Sequence, residues 1–418
     1  MNRRLLPFPG DCARRVLALA GAGLTVGLTA CGSPPASRHE DAQPREVVRE
    51  LVARGYASVE HDAVTTTVHA WSVSGQHVRV VLAQPQRSGR APLVIYVPGL
   101  GESSDAGEKW RAAWSSAGYA VMSVQVLDED ASAWRSELAR EGDFKGLGRQ
   151  RYAGAVMDRR VKALEDVLDE ARKRATAGEP AWNRVDWTRM AIAGFDLGAY
   201  TAMTVAGEHV PGALDASADS GRLIVRAAIA LSPYASVSAG SLESRYRDIR
   251  TPVMSVTSDI DGDALGMVEG AAMRGAPFAH MEGPDKFLLS MQGMTHASLS
   301  GSAAEKDVSV GSGRARPSPS AADKQGSEDT GQHRRSGGKR AGSGEAAGAA
   351  RDLSATGEGH AAGDSGLSPS TVQMRMSAAQ HVSTAFLDAY VKDDPLARQW
   401  LTAEATRWLG PAGELQRK

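Results

Sequence analysis

An aspartate occupies position 196 within Gly194-Phe195-Asp196-Leu197-Gly198, where a G-x-S-x-G turn from strand to helix would carry serine. In such a turn the flanking glycines let the backbone cross itself, and the central side chain is thrust into a cleft. A carboxylate there is ill suited to ordinary acyl transfer, because its attack on an ester would give a high-energy anhydride. It suits displacement at a saturated carbon that bears a leaving group, which leaves an alkyl ester on Asp196 for water to hydrolyse. Two partners for that hydrolysis follow in chain order. Thr257-Ser258-Asp259-Ile260-Asp261-Gly262-Asp263 offers three carboxylates after one apolar run, and His296 closes Gly293-Met294-Thr295-His296 after another. The order nucleophile, acid, histidine is that of a catalytic triad, with the histidine as base for the attacking water. The backbone N–H groups of Leu100, in Pro98-Gly99-Leu100-Gly101, and of Leu197 are expected to form an oxyanion hole. No metal or cofactor is expected, since the turn aims Asp196 for attack rather than for coordination. A different use of the same residues is a silent site that binds a ligand or partner, with His296 held as an imidazolium between Asp196 and Asp261.

These residues need a scaffold that brings the ends of several strands together. Apolar runs at 93–97, 120–126, 190–195, 227–231, 253–257 and 287–291 read as buried strands, and 156–171 carries helical spacing of apolar residues. Buried strands alternating with helices predict an α/β protein with a mostly parallel sheet covered on both faces. Ahead of them, 65–73 and 77–83 alternate polar with apolar around Ser74-Gly75, a hairpin signal.

The chain has 418 residues, 42% of them hydrophobic, and a formal net charge of −1, so it can bury a full core and has no electrostatic bias toward nucleic acid. Residues 1–31 read as an export leader: Arg3, Arg4, Arg14 and Arg15 precede an apolar run of about 15 residues, too short to span a bilayer comfortably. That run ends in Leu28-Thr29-Ala30-Cys31, which resembles a bacterial lipobox and implies lipid attachment at Cys31. The expected location is therefore the exported side of a membrane, anchored through Cys31, with 32–45 as a flexible tether and a helix over 46–56. The only other cysteine, Cys12, lies in the leader, so no disulfide is expected in the mature chain. Residues 301–371 are rich in Gly, Ser, Ala and charge and poor in large apolar side chains, which predicts a disordered insertion in a domain that begins at 46–300 and finishes with helices in 372–418. Helical spacing resumes at 374–390.

From 93 to 300, and again from 374 to 400, the chain resembles the bacterial α/β-hydrolases related to dienelactone hydrolase and platelet-activating-factor acetylhydrolase. The resemblance rests on Val97-Pro98-Gly99-Leu100-Gly101, Ala193-Gly194-Phe195-Asp196-Leu197-Gly198-Ala199-Tyr200, Asp285-Lys286-Phe287-Leu288-Leu289 and Gly293-Met294-Thr295-His296. It implies an α/β-hydrolase fold and hydrolysis of carboxylic esters or lactones, with serine in the family where Asp196 stands here. In that family the acid strand commonly ends G-x-x-D, which places Asp261 as the acid and leaves Asp259 and Asp263 as loop carboxylates. The elbow also resembles that of haloalkane dehalogenases and epoxide hydrolases, which use an aspartate nucleophile. Unlike those families, the chain has only about 18 residues at 234–251, the length of one helix and its connections rather than a large cap. Leu197 also stands where dehalogenases usually place tryptophan. The implied substrate is a small ester-like or electrophilic molecule.

Overall fold

A computed structural model describes residues 55–58, 60–213, 223–302 and 366–418. The predicted leader with Cys31, the tether, residues 46–54 of the predicted first helix and most of the predicted insertion lie outside the described residues. Gly55 and Tyr56, expected to end that helix, are not helical. Among the described residues no helix is long and apolar enough to cross a membrane.

Nine strands form one sheet: β1 (Val64–Val73), β2 (Gln76–Pro85), β3 (Ala91–Val97), β4 (Ala120–Val124), β5 (Val185–Phe195), β6 (Ala227–Leu231), β7 (Val253–Ser258), β8 (Lys286–Met291) and β9 (Gly413–Arg417). Their spatial order is β1-β2-β4-β3-β5-β6-β7-β8-β9. The six strands from β4 to β8 run parallel, and the remaining strands pair antiparallel at the two edges. The β1–β2 hairpin turns through Ser74 and Gly75, both at positive φ (49° and 79°), which suits a two-residue turn whose twist matches that of its strands.

Because successive side chains on a strand face opposite ways, the continuous apolar runs supply both faces of the sheet. Val94 and Tyr96 join Ala191, Ala193, Ile229 and Met254 on one face, where helices Glu108–Ser116 and Pro369–Val391 pack. Leu93, Ile95 and Val97 join Ile192 and Ala228 on the other, under helices Gly154–Thr176 and Leu197–Ala206. The helix Pro369–Val391 starts inside the stretch expected to be insertion. Ser368 caps it by accepting from the Thr371 N–H, and Pro369 fits the first turn, where no intrahelical partner for its nitrogen is needed.

The order of the parallel strands sets where a site can form. From β3 the chain first adds β4 on one side and then β5 on the other, so the connections diverge and leave a crevice beyond the carboxyl ends of β3 and β5. Across that end lies a third apolar cluster that includes Leu100, Leu147, Tyr152, Leu197, Tyr200 and Tyr234. Part of it comes from residues 128–152, which fold as very short helices, Asp128–Ala131, Glu137–Arg140 and Phe144–Arg151, and form a small cover.

The turn after β5 depends on two glycines. A Cβ at Gly194 would overlap the backbone of Gly198, and one at Gly198 would overlap the Val97 carbonyl at the end of β3. Gly198→Ala is therefore expected to destabilise the fold by about 3 kcal/mol or more, since backbone on both sides of the clash has no room to move. Gly75→Ala, in open space, should cost about 1 kcal/mol from its left-handed φ alone. Urea unfolding of the two variants measures the difference, and equal losses would contradict the packing described.

Candidate functional site

Asp196 sits between β5 and the helix Leu197–Ala206 with φ 51° and ψ −109°, a conformation that L-residues rarely adopt. Strain of this kind costs on the order of 1–3 kcal/mol and persists only where surrounding structure imposes it. The Asp196 N–H donates to the Leu231 carbonyl at 2.9 Å, and its own carbonyl accepts from the Tyr200 N–H at 3.1 Å. Although Asp196 is the first residue before the helix, its carboxylate caps no helical N–H. It accepts instead from the Tyr152 hydroxyl, Oη to Oδ1 at 2.7 Å. Tyr152 is buried against Tyr200 and Tyr234. Burial pushes its hydroxyl far above the usual tyrosine range, and the Asp196 charge adds to the rise, so Tyr152 stays a donor.

Asp261 and His296 are brought together at the ends of β7 and β8. His296 Nδ1 lies 2.8 Å from Asp261 Oδ1, and the carboxylate is fully buried while the imidazole is partly exposed. Asp261 is further engaged by the Thr257 hydroxyl at 2.8 Å and by the buried Arg274, whose Nε stands 3.2 Å from Oδ1. Burial alone would raise this carboxyl, but the bond from His296 and the Arg274 charge outweigh it and hold Asp261 below the usual carboxylate range. The other two acids of the segment do loop work: Asp259 accepts from the Gly293 N–H, and Asp263 from the N–H groups of Leu265, Met267 and Val268. The Ser258 hydroxyl also bonds the Met294 carbonyl, so the loops after β7 and β8 are stapled at three points.

The ring of Phe195, next to Asp196, lies 4.7 Å from the His296 ring between centroids. No hydrogen bond or ion pair joins Asp196 to His296 among the described residues, so the imidazole is bonded to Asp261 and not shared between two carboxylates. On the β3 side, the Gly99 N–H donates to Glu102 Oε2 at 2.8 Å and the Gly101 N–H to the Asp130 carbonyl at 2.8 Å. The Leu100 N–H between them donates to nothing among the described residues. Leu197 opens the helix, where the first N–H groups lack intrahelical acceptors and the dipole is positive.

Three groups at this end of the sheet were not singled out from the sequence. Tyr152 comes from the end of the helix Phe144–Arg151 and Arg274 from the short 3-10 helix Ala271–Gly275, both remote from the motifs. Glu102 lies three residues beyond Gly99 and accepts from the Ser302 hydroxyl at 3.0 Å. Burial raises its carboxyl, the bonds from Gly99 and Ser302 oppose the rise, and the Asp196 charge adds to it. The only available signal was its place in the turn after β3. Among the described residues no group of three or more His, Cys, Asp or Glu side chains is placed to hold a metal ion. No family model matches the chain, and no curated protein matches it.

What the arrangement offers is a strained carboxylate held by one tyrosine, a histidine–carboxylate pair, and backbone donors on the loop after β3 and at the start of the helix Leu197–Ala206. The lowered Asp261 carboxyl has a consequence for stability. A carboxyl depressed on folding stabilises the protein above its unfolded value, and that contribution is lost as pH falls through the lower folded value. Asp261→Asn should therefore flatten the loss of stability below about pH 4, relative to the parent chain. Denaturant unfolding between neutral and acid pH checks this, and parallel pH profiles for the two proteins would contradict it.

Proposed function

We propose that the chain is an exported lipoprotein of the α/β-hydrolase fold, anchored through Cys31, that hydrolyses a small electrophilic or ester-like molecule with Asp196 as nucleophile. The reading rests chiefly on the geometry at Asp196. A carboxylate kept in a strained turn, withheld from the helix it precedes and held at one oxygen by Tyr152, has its other oxygen available to attack. The leader motif supports export, and the mostly parallel sheet with its sharp turn after β5 supports the hydrolase fold.

The chemistry follows from the nucleophile. Asp196 Oδ2 attacks a saturated carbon, the bond to the leaving group breaks with its electron pair, and an alkyl ester of Asp196 results. His296, oriented through Nδ1 by Asp261, takes a proton from water as that water attacks the aspartyl carbonyl. Negative charge then develops on the aspartyl oxygen, where the N–H groups of Leu100 and Leu197 would receive it. Collapse returns the proton from His296 to the departing alkoxide, releasing an alcohol and restoring Asp196. Tyr152 acts in this scheme as a positioning residue.

The ester should accumulate when its hydrolysis is blocked. In His296→Gln, treatment with 1-bromobutane or styrene oxide is expected to leave a mass increase on the peptide bearing Asp196, absent from Asp196→Asn. Tyr152→Phe in the same background should slow that modification by about tenfold through loss of one hydrogen bond to the nucleophile. No adduct on Asp196 with either probe would sink the reading, and an undiminished rate in Tyr152→Phe would remove Tyr152 from it.

A further inference from the structure

Beside the crevice lies a cavity of about 580 Å³, within the range of small-molecule sites. Its walls are the rings of Tyr152, Tyr200 and Tyr234, with centroids 4.6 to 5.8 Å apart. Tyr200 is only 2% exposed, lines this cavity, and makes no hydrogen bond through its hydroxyl among the described residues. At the rim, Lys145 and Arg149 lie one turn apart on the helix Phe144–Arg151, so both project from the same side. Both are exposed, and neither forms an ion pair among the described residues. Neighbouring cations are committed elsewhere: Arg151 to Glu129, Arg160 to Asp130 and Arg245 to Glu208. Glu269, the one carboxylate among the described lining residues, accepts from the Ser236 hydroxyl at 2.7 Å.

We infer that this cavity binds an anion that carries a flat apolar body, with the body lying against the cluster of tyrosine rings and a carboxylate or phosphate group on Lys145 and Arg149. Rigid aromatic walls favour a ring by offset and edge contacts, and a guanidinium fork with an adjacent ammonium suits either oxyanion. Tyr152 belongs to the cavity wall through its ring and to Asp196 through its hydroxyl, so a bound body lies one side chain from the proposed nucleophile. Taken as the distal part of the substrate, the anion rests on the proposed role of Asp196; the binding itself does not.

Calorimetric titration of the full chain carrying Asp196→Asn, with benzoate, phenyl phosphate and benzyl alcohol at low salt, tests it. At least one of the two anions is expected to bind about tenfold more tightly than benzyl alcohol, and the better of them identifies the oxyanion. Lys145→Gln combined with Arg149→Gln should abolish that preference with the melting temperature unchanged, because both side chains are exposed. Binding of the neutral probe as tight as that of the anions, no anion binding, or a preference that survives the double variant would overturn the inference. The Asp196→Asn protein forms no alkyl ester, so such a failure counts against the cavity and not against the nucleophile.

Discussion

The site depends on one backbone crossing. Gly194 and Gly198 touch within the turn after β5, and Gly198 also rests on the carbonyl of Val97 at the end of β3, leaving no space for a side chain at either position. That contact drives the residue between them to φ 51°, and Asp196 accepts the strain because its N–H and carbonyl are both bonded in that conformation. The same contact draws the β3 loop, with the Leu100 N–H, against the start of the helix that follows Asp196. The position of Asp196 and that of the backbone donors are thus set by one packing event between adjacent parallel strands.

The second half of the site is held by electrostatics rather than by sterics. A buried carboxylate is costly unless several donors engage it. Asp261 has three, from His296, Thr257 and Arg274, and Arg274 also bonds the carbonyls of Asp261, Ser232, Pro233 and Gly262. The guanidinium therefore shapes the loop that presents the acid while offsetting its charge. His296 inherits its orientation from that loop, with Phe195 against its ring. The two halves meet without a direct bond between Asp196 and His296, an arrangement suited to a carboxylate and a base that act in successive steps.

Much of this was legible in the chain. Runs such as 227–231 coincide with a strand because a parallel strand covered on both faces must be apolar throughout. Spacing and resemblance singled out Asp261 over Asp259 and Asp263, and of the three it is Asp261 that meets His296. Other features left little trace. β9 is an edge strand whose only large apolar residue is Leu415, so its alternation is too short to read. The strand β5 begins at Val185, earlier than the apolar run at 190, and residues 186–189 between them are exposed or partly exposed at a register shift opposite Pro92 and Leu93. The cover over 128–152 is built from helices too short to carry a periodic pattern. Tyr152 reaches Asp196 from that cover, and Arg274 reaches Asp261 from a turn between β7 and β8; both meetings exist only in three dimensions.

The central claim is that Asp196 itself forms the bond to substrate, and oxygen tracing tests it most directly. In a single turnover of styrene oxide in heavy-oxygen water, the attacking water oxygen enters the aspartyl carbonyl, so the account predicts label in the carboxylate of Asp196 and an unlabelled first-turnover diol. Label in the diol with none in Asp196 would mean that water attacks the substrate without a covalent step, and would contradict the account.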